Sequence, residues 1–474
     1  MFNIFFDANK AFVLLFITFL VCYLPGSYAQ NKNPKSVTAP LVVPDTSKNN
    51  LLLPVMVKDT GKNATTQSLT LQQCIEYAIL HQPKINIARI NIEVAKTTNK
   101  ISLAGALPQV NASGSLIHNI QTATTTANPN NVPFANTFVP GVDVSQTIFN
   151  PSLLYAFKSA PLYLKQAQQV RDSTQISLVS AVSKSFYSLL LTIEQINVLK
   201  GDTAEFGKNV RDAYHQYKGG IVDETDYEQA EITLNNTRAQ LKQATENVAP
   251  QYAALKQSIG FPPEQQFNVV FDTLEMMKSI HIDTTQQLQY EKRIEYQLLN
   301  TDKNLQMQLV DYYKYSFLPT VSASYNYNRN FRSSTLGTLF ETSYPSSLVG
   351  LSFSIPIFTG FSRLNNLHKA RLQQQILNWN QTDLKSQIYT QYTTALANYK
   401  GNYYNLQVLQ KNVALSRRVY FVVELQYKQG IVPYLNVITA QSNLITSEIN
   451  YINALFQVLS NKIDLEKAMG NISY

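Results

Sequence analysis

The chain contains five histidines and two cysteines, the side chains that most often bind metals or act as catalytic bases and nucleophiles. The histidines share no metal-ligand spacing, and no serine, cysteine or carboxylate constellation accompanies them. The sequence therefore predicts no catalytic site, no metal site and no cofactor. The histidines are His81, His118, His215, His281 and His368.

The composition is that of a foldable chain that is poor in charge. Its 474 residues are 45% hydrophobic and 15% charged, which excludes disorder for most of the length. The formal net charge is +8, but the lysines and arginines are dispersed, without a basic run or a nucleic-acid recognition motif. We therefore interpret the positive charge as a solvated surface and expect no nucleic-acid partner.

The N-terminus carries the pattern of a secretory signal peptide. An apolar run over residues 11–24 follows Lys10 and precedes small residues that end at Ala29. This pattern predicts a signal peptide over residues 1–29, cleaved after Ala29. A lipid anchor at Cys22 is the alternative, although Val21 stands where a small side chain is expected.

The mature chain begins with a segment that has no core-forming pattern. Residues 30–67 are rich in Pro, Thr, Asn and Lys without apolar periodicity, which predicts a flexible periplasmic segment. Only Cys74 remains after cleavage, so we expect no intrachain disulfide. No later segment reads as long and apolar enough to cross a membrane, so we expect no transmembrane helix.

The rest of the chain is an internal duplication. Tyr-Lys-Gly-Gly-Ile-Val at 217–222 recurs as Tyr-Lys-Gln-Gly-Ile-Val at 427–432, an offset of 210 residues. Leu-Pro at 107–108 likewise recurs at 318–319. We therefore predict one repeat over residues 68–278 and a second over residues 279–474.

Each repeat is predicted to run helix, two strands, long helix, tight turn and helix. The long helix carries apolar residues in a seven-residue pattern, which is typical of coiled-coil packing. At roughly 55 residues it would reach about 80 Å. The positions are Tyr392, Tyr399, Leu406, Val413, Tyr420 and Tyr427 with Ile388, Ala395, Leu409 and Val423 in the second copy, and Val182, Leu189, Ile196, Val210 and Tyr217 in the first.

Between the helices, four segments alternate apolar with small polar residues, as strands with one apolar face do. Four strands cannot close a barrel, and an open edge in lipid leaves backbone groups unpaired. We therefore expect three protomers to build a 12-stranded outer-membrane β-barrel, with a half-exposed soluble sheet as the alternative. The apolar positions are Val110, Ala112 and Leu116; Val142, Val144 and Ile148; Val321, Ala323, Tyr325 and Tyr327; and Val349, Leu351, Phe353, Ile355 and Ile357.

Six short strings resemble the TolC family of outer-membrane efflux proteins, in order and in duplicate. Residues 68–78 resemble the start of the family's first helix, and residues 107–110 resemble its entry into the first strand. Residues 148–150 and 355–360 are similar to its strand exits. The two Tyr-x-x-Gly turns resemble the family's helix-hairpin tips. The resemblance covers nearly the whole mature chain.

The resemblance implies an α+β membrane protein and a homotrimer. Its strands would form a pore through the outer membrane, and its coiled-coil hairpins would continue the pore as a long periplasmic α-helical barrel. The protein would be a passive exit channel of an efflux or type I secretion system, carrying drugs, small molecules or polypeptides. A periplasmic adaptor (membrane fusion) protein would link it to an inner-membrane pump of the RND, ABC or MFS type, with outer-membrane lipid around the barrel.

A secreted or periplasmic coiled-coil scaffold without a pore is the alternative from another functional class. Such a scaffold would explain the heptads but not the alternating strands or the duplication. The channel interpretation explains all three features, and it predicts a protein of the outer membrane with a large periplasmic part.

The resemblance also assigns candidate site residues at the tips. Asp226 takes the place of an acidic residue that bonds to the neighbouring hairpin, with Tyr427 as its partner. Val432 stands where the family has its gate arginine, and Asn436 and Thr439 stand where it has its constriction aspartates. The candidates for the tip, gate and adaptor docking are Tyr217, Gly220, Ile221, Val222, Asp226, Tyr427, Gly430, Ile431, Val432, Asn436 and Thr439, and those for a membrane-interface girdle are Phe149, Phe331, Phe353 and Phe358.

Local structure offers a simpler alternative at each of these places. Gly220 and Gly430 could be no more than helix stops, since glycine tolerates a positive φ. Asp226 could be a helix-start residue favoured by the helix dipole. The four phenylalanines could serve core packing rather than a girdle.

Overall fold

The computed structural model describes residues 67–121, 134–271 and 280–472, together with Met276. The predicted signal peptide, the predicted N-terminal segment up to residue 66 and the predicted repeat boundary at 278–279 lie outside the described residues. The elements of the first half are β1 (Gln67–Leu69), α1 (Leu71–His81), α2 (Pro83–Ala104), β2 (Gln109–His118), β3 (Asn136–Phe149), α3 (Pro151–Lys218) and α4 (Glu224–Ile259). Those of the second half are β4 (Phe267–Val269), α5 (Ile294–Tyr315), β5 (Thr320–Ser333), β6 (Ser343–Ser354), α6 (Ser362–Lys428) and α7 (Tyr434–Met469), with short 3₁₀ turns at Tyr290–Lys292 and Leu336–Thr338.

The first helix of the first half is divided in two. Gln82 is extended, with φ −63° and ψ 122°, and Pro83 opens the next helix. A residue before proline is pushed out of the helical region, so α1 has to end there. In the second half, residues 280–292 are described, and there the only helical turn is the 3₁₀ turn at Tyr290–Lys292, directly before α5.

The long helices α3 and α6 have 68 and 67 residues, so the expected length of roughly 55 residues was too short. At about 1.5 Å per residue each spans about 100 Å. The seven-residue pattern covered only the C-terminal part of each helix, from residue 182 in α3 and from residue 388 in α6. Helix α3 already begins at Pro151. There the Asn150 side chain accepts a hydrogen bond from the Ser152 amide at 2.8 Å, and proline is well suited to a first helical turn.

Helix α3 also corrects the expectation that no later segment is apolar enough to cross a membrane. It contains the one 18-residue window, among the described residues, that passes a test of length and composition. Within the protein 56% of that window is buried. The apolar character follows from packing, because α3 contacts α2, α4, α5 and α7.

The helices pack as two antiparallel hairpins, which we name hairpin 1 (α3 and α4) and hairpin 2 (α6 and α7). The predicted heptad positions Val182 and Leu189 on α3 are fully buried, and Leu406 on α6 is 4% exposed. They belong to a core of buried residues to which α1 and the ends of α4 and α7 also contribute. Burial of such side chains stabilises the hairpins by about 1.5–3 kcal/mol each.

Four strands form an antiparallel sheet in the order β2-β3-β5-β6. The register places Val110 opposite Val144 and Val144 opposite Tyr325, so the apolar residues share one face. Asn111, Asp143 and Asn326 are paired on the other face. The sheet therefore has one apolar and one polar face, as the alternation predicted.

The sixth strand is shorter than predicted. It ends at Ser354, so Ile355 and Ile357 lie beyond it. Pro356 explains the early end, because proline has no backbone N–H to donate to a neighbouring strand.

Candidate functional site

The two hairpins reverse direction through identical backbone turns. Gly220 and Gly430 both have φ 72°, in the left-handed region. In each turn the glycine amide donates to the carbonyl three residues back, and the following isoleucine amide donates to the carbonyl five residues back, all at 2.9 Å. This Schellman arrangement satisfies the last helical carbonyls and requires a positive φ at the glycine.

The turns present apolar side chains at the end of the molecule's helices. Ile221 is 75% exposed and Ile431 is 69% exposed. Val222 and Val432, which follow them, are half-buried. No atom lies within 4 Å of a Cβ built on either turn glycine, so the tips have open space around them.

The side chains after the two turns differ in charge. Helix α4 begins after Asp223 and carries Glu224 and Asp226 in its first turn. Helix α7 has no acidic residue in its first turn. At the 210-residue offset Asp226 corresponds to Asn436, which is exposed. The first tip is therefore acidic and the second is neutral.

The candidate gate residues of the second tip face solvent in the single chain. Asn436 and Thr439 are both exposed and lie three residues apart, on one face of α7. The Thr439 hydroxyl donates to the Leu435 carbonyl at 2.9 Å. Buried Val437 and Ile438 lie between them in sequence and pack against hairpin 1.

Tyr427 links the two tips, but to a different partner from the expected one. Its hydroxyl donates to the Gln216 side-chain oxygen at 2.5 Å. Burial raises the pKa of the Tyr427 hydroxyl, and the nearby carboxylates of Asp226 and Asp212 raise it further. A hydrogen bond between Tyr427 and Asp226 is therefore not made within this chain, although the two groups are close enough to interact. Tyr217 stacks with Tyr227 on the acidic tip, with ring centroids 6.5 Å apart.

Above the tips, α3 and α7 are joined by a ladder of polar contacts that we name the seam. Lys184 pairs with Asp464 at 2.6 Å. The Gln195 amide donates to Asn453 at 3.0 Å, and the Asn209 amide donates to Gln441 at 3.1 Å. Numbers that rise on α3 fall on α7, as they must between antiparallel helices.

The seam was not predicted from the sequence. Gln195, Asp202, Asn209 and Gln216 lie seven residues apart on α3 and form a polar stripe beside the apolar heptad. That stripe was the available signal. The α7 partners of Gln195 and Asn209 lie 258 and 232 residues away in the sequence, and only the fold supplies that pairing.

The four candidate girdle phenylalanines fall into two groups. Phe353 and Phe358 are 73% and 74% exposed, and Phe358 lies beyond the end of β6. Phe331 is half-buried against Phe138 and Phe340, with ring centroids 6.1 and 5.6 Å away. Phe149 ends β3 and is also half-buried. Phe331 thus packs against aromatic rings within the chain. Phe358 also meets a ring, that of Phe361 at 5.6 Å, but Phe353, Phe358 and Phe361 all remain largely exposed.

Comparison with known proteins places this architecture. The profile of the outer membrane efflux protein family matches residues 74–261 and 307–471, both halves of the duplication. The probable efflux pump outer membrane protein TtgC of Pseudomonas putida is 22% identical over 84% of this chain and 82% of its own length. The solved structure of CusC aligns over 87% of this chain and 95% of its own, with a TM-score of 0.72 and 18% identity. That of the outer membrane protein VceC of Vibrio cholerae aligns over 84% and 96%, with a TM-score of 0.69 and 16% identity. The chain belongs to the outer membrane efflux protein family.

Proposed function

We propose that this chain is the outer-membrane exit channel of a tripartite efflux or secretion system, and that three copies form one passive conduit. The observation that carries the proposal is the four-stranded sheet with one apolar and one polar face. Such a sheet suits lipid on one side and a water-filled lumen on the other. A coiled-coil scaffold without a pore would not need a sheet with one apolar and one polar face.

The edges of the sheet support a closed ring of several chains. Among the described residues, β2 pairs only with β3, and β6 pairs only with β5. An unpaired edge in lipid costs several kcal/mol for each backbone group that lacks a partner. The strands alternate in direction, so β6 of one copy can pair antiparallel with β2 of the next. Three copies then give 12 strands, four from each chain.

The duplication suggests how the helices of neighbouring copies meet. Within one chain α3 packs on α5, where the Thr301 hydroxyl donates to Gln169 at 2.8 Å. At the offset of 210 residues Gln169 corresponds to Trp379 on α6. Helices α2 and α5 are offset by 211 residues, so Thr301 corresponds to Ile90 on α2. Trp379 is 75% exposed and Ile90 is 61% exposed. We expect α6 of one copy to bury Trp379 against Ile90 of the next, in the geometry that α3 and α5 already use.

The two halves of the duplication in three copies would then give a ring of six similar units. Residues 68–278 and 279–474, taken as the two repeats, would alternate around the ring. The exposed tips would meet a periplasmic adaptor, which connects the channel to an inner-membrane pump of the RND, ABC or MFS type. Gly220, Ile221, Gly430 and Ile431 are the residues that we assign to that docking. Energy would come from the pump and not from the channel.

Trp379 makes assembly measurable, because it is the one tryptophan of the chain. We expect its fluorescence to shift to the blue when the protein forms trimers in detergent. Ile90→Asp should prevent both the shift and the trimer. Ile232→Asp is the control, since Ile232 is similarly exposed and its counterpart Ser442 stays exposed within the chain.

Membrane behaviour completes the test. The protein should stay in the membrane fraction through a salt wash and conduct in planar bilayers as a trimer. A scaffold would wash off in salt. A purified monomer that inserts and conducts by itself would refute the trimeric channel.

A further inference from the structure

The seam between the hairpins contains a level at which carboxylates face one another. Between the amide pairs Gln195–Asn453 and Asn209–Gln441, α3 contributes Asp202 and α7 contributes Glu448. Oδ2 of Asp202 is buried, and no residue that the structure describes offers it a hydrogen bond. At each of the three other contacts of the seam, a Lys, Gln or Asn side chain on α3 donates a hydrogen bond to its partner on α7.

The groups around Asp202 leave this level short of positive charge. On α6, Arg417 donates to the Glu448 carboxylate at 2.6 Å, and the Tyr420 hydroxyl donates to Glu205 of α3. Glu448 is thus ion-paired with Arg417, and Glu205 accepts a hydrogen bond from Tyr420. For Asp202 the described residues provide no ion pair. Other charged side chains on the surrounding helices include Glu424 and the exposed Arg418 on α6, the exposed Lys200 and Lys208 on α3 and the exposed Arg238 on α4. Among the described residues, none of these five forms an ion pair with Asp202.

A charged carboxylate is poorly accommodated in this position. Burial without a hydrogen bond disfavours the ionised form, and neighbouring negative charges disfavour it further. Burial first, and then the charges of Glu448 and Glu205, raise the pKa of Asp202 to about 7. A protonated Asp202 carboxyl could instead donate a hydrogen bond to Glu448 on α7, which would complete the ladder.

We propose that Asp202 is a proton-binding site that fastens hairpin 1 to hairpin 2. With the proton bound, the carboxyl fits the seam as the amides above and below it do. When the proton leaves to solvent, the charge of Asp202 repels Glu448 and loosens the seam. The inference rests on the proposed channel, in which the hairpins surround the conduit and a looser seam widens its periplasmic end.

The direction of the pH effect follows from the sign of the shift. A free aspartate has a pKa of about 3.9, and the folded value is higher, so the folded seam favours the protonated form. The stabilisation is complete in acid and is lost as the pH rises through about 7. Above that pH the ratio of fastened to loosened seams should fall by up to about tenfold per pH unit, as expected for one proton.

Infrared spectroscopy of the purified full-length protein in detergent tests the proton site directly. The wild type should lose the C=O band of one protonated carboxyl with a midpoint near neutral pH, and Asp202→Asn should lack that transition. Glu448→Gln should move the midpoint to lower pH, because it removes the first repelling charge. Asp302→Asn is the matched control, since burial also raises the pKa of Asp302, which lies on α5 away from the seam. A transition that persists in Asp202→Asn, or no transition in the wild type, overturns the proposal.

Conductance in planar bilayers tests the consequence. Wild type and Asp302→Asn should conduct more as the pH is raised from about 5.5 to about 8.5, across the Asp202 transition. Asp202→Asn, which resembles the protonated form, should keep the low conductance at every pH. A wild type whose conductance ignores pH while the infrared band titrates would mean that the proton does not control the seam. Failure to conduct at any pH would count against the channel itself and leave the infrared result to decide the proton site.

Discussion

The two hairpin tips have the same backbone and different chemistry. Gly220 and Gly430 share φ 72° and the same pattern of hydrogen bonds. Yet α4 starts with Glu224 and Asp226, where α7 starts with Tyr434 and Asn436. Reversing a helix in a few residues allows few backbone solutions, so the turn has been kept in both copies. The side chains that the turn exposes are not constrained by its backbone geometry, and at these positions the two repeats differ.

The opposite ends of the hairpins also combine a shared backbone arrangement with different side chains. Gln82 and Arg293 occupy equivalent places before α2 and α5. The Gln82 amide donates to the carbonyls of Gln257 and Ser258 at 3.1 and 3.2 Å. Arg293 donates to the Ala468 carbonyl at 3.0 Å. Each copy thus caps the last turn of its hairpin from a neighbouring helix, but the first uses a neutral side chain and the second a charged one.

The largest expected effect comes from removing the charged cap. Arg293 is 4% exposed and also donates to Glu295 at 3.0 Å and Gln391 at 2.8 Å. Arg293→Ala would leave the buried Ala468 carbonyl and the half-buried Glu295 carboxylate without their donor, which we expect to cost about 2–4 kcal/mol. Gln82→Ala breaks only neutral hydrogen bonds and should cost about 1–2 kcal/mol. Chemical unfolding of the trimer in detergent measures both, and equal losses would mean that the two caps are interchangeable.

The periodic and local features of this fold could be predicted from the sequence. Heptads gave the buried face of α3 and α6, and the repeated Tyr-x-x-Gly gave both tips. Arg293, the Gln216–Tyr427 hydrogen bond and the Asp202 level of the seam could not be predicted in this way. Each joins segments more than 90 residues apart, and no local pattern records which residues meet. The end of β6 could not be predicted from the alternation either. The alternation runs on to Ile357, whereas strand pairing stops before Pro356.

A smaller effect on stability, with a large effect on export, is expected at the tip glycines. A β-branched residue at φ 72° costs about 1–2 kcal/mol, and there is open space for its side chain. Gly220→Val together with Gly430→Val should therefore leave trimers in the membrane but distort both docking turns and abolish export. Efflux of a fluorescent dye and the amount of trimer are measured on the same cells. Gly201→Val is the control, because its Cβ also meets open space but on a helix away from the tips. Undiminished export by the double variant would place docking elsewhere.

The smallest structural change is expected from substitutions that alter only the charge of a tip. If Asn436 and Thr439 line the periplasmic constriction, three copies present amides and hydroxyls where aspartates would form an acidic ring. Carboxylates crowded in a narrow pore create a negative potential that concentrates cations and binds multivalent ones. We therefore expect the wild type to be weakly cation-selective and resistant to block by trivalent cations.

Asn436→Asp with Thr439→Asp should create that block in planar-bilayer recordings, with little change in stability because both side chains are exposed. The first tip supplies the competing possibility, since Asp223, Glu224 and Asp226 could provide the charge from hairpin 1. Neutralising all three, by Asp223→Asn with Glu224→Gln and Asp226→Asn, distinguishes the two sources. If the wild type is already blocked by micromolar trivalent cations and the triple variant is not, the acidic tip lines the constriction. If the block survives the triple variant, the constriction has been placed at the wrong residues, because neither tip would then account for the negative potential.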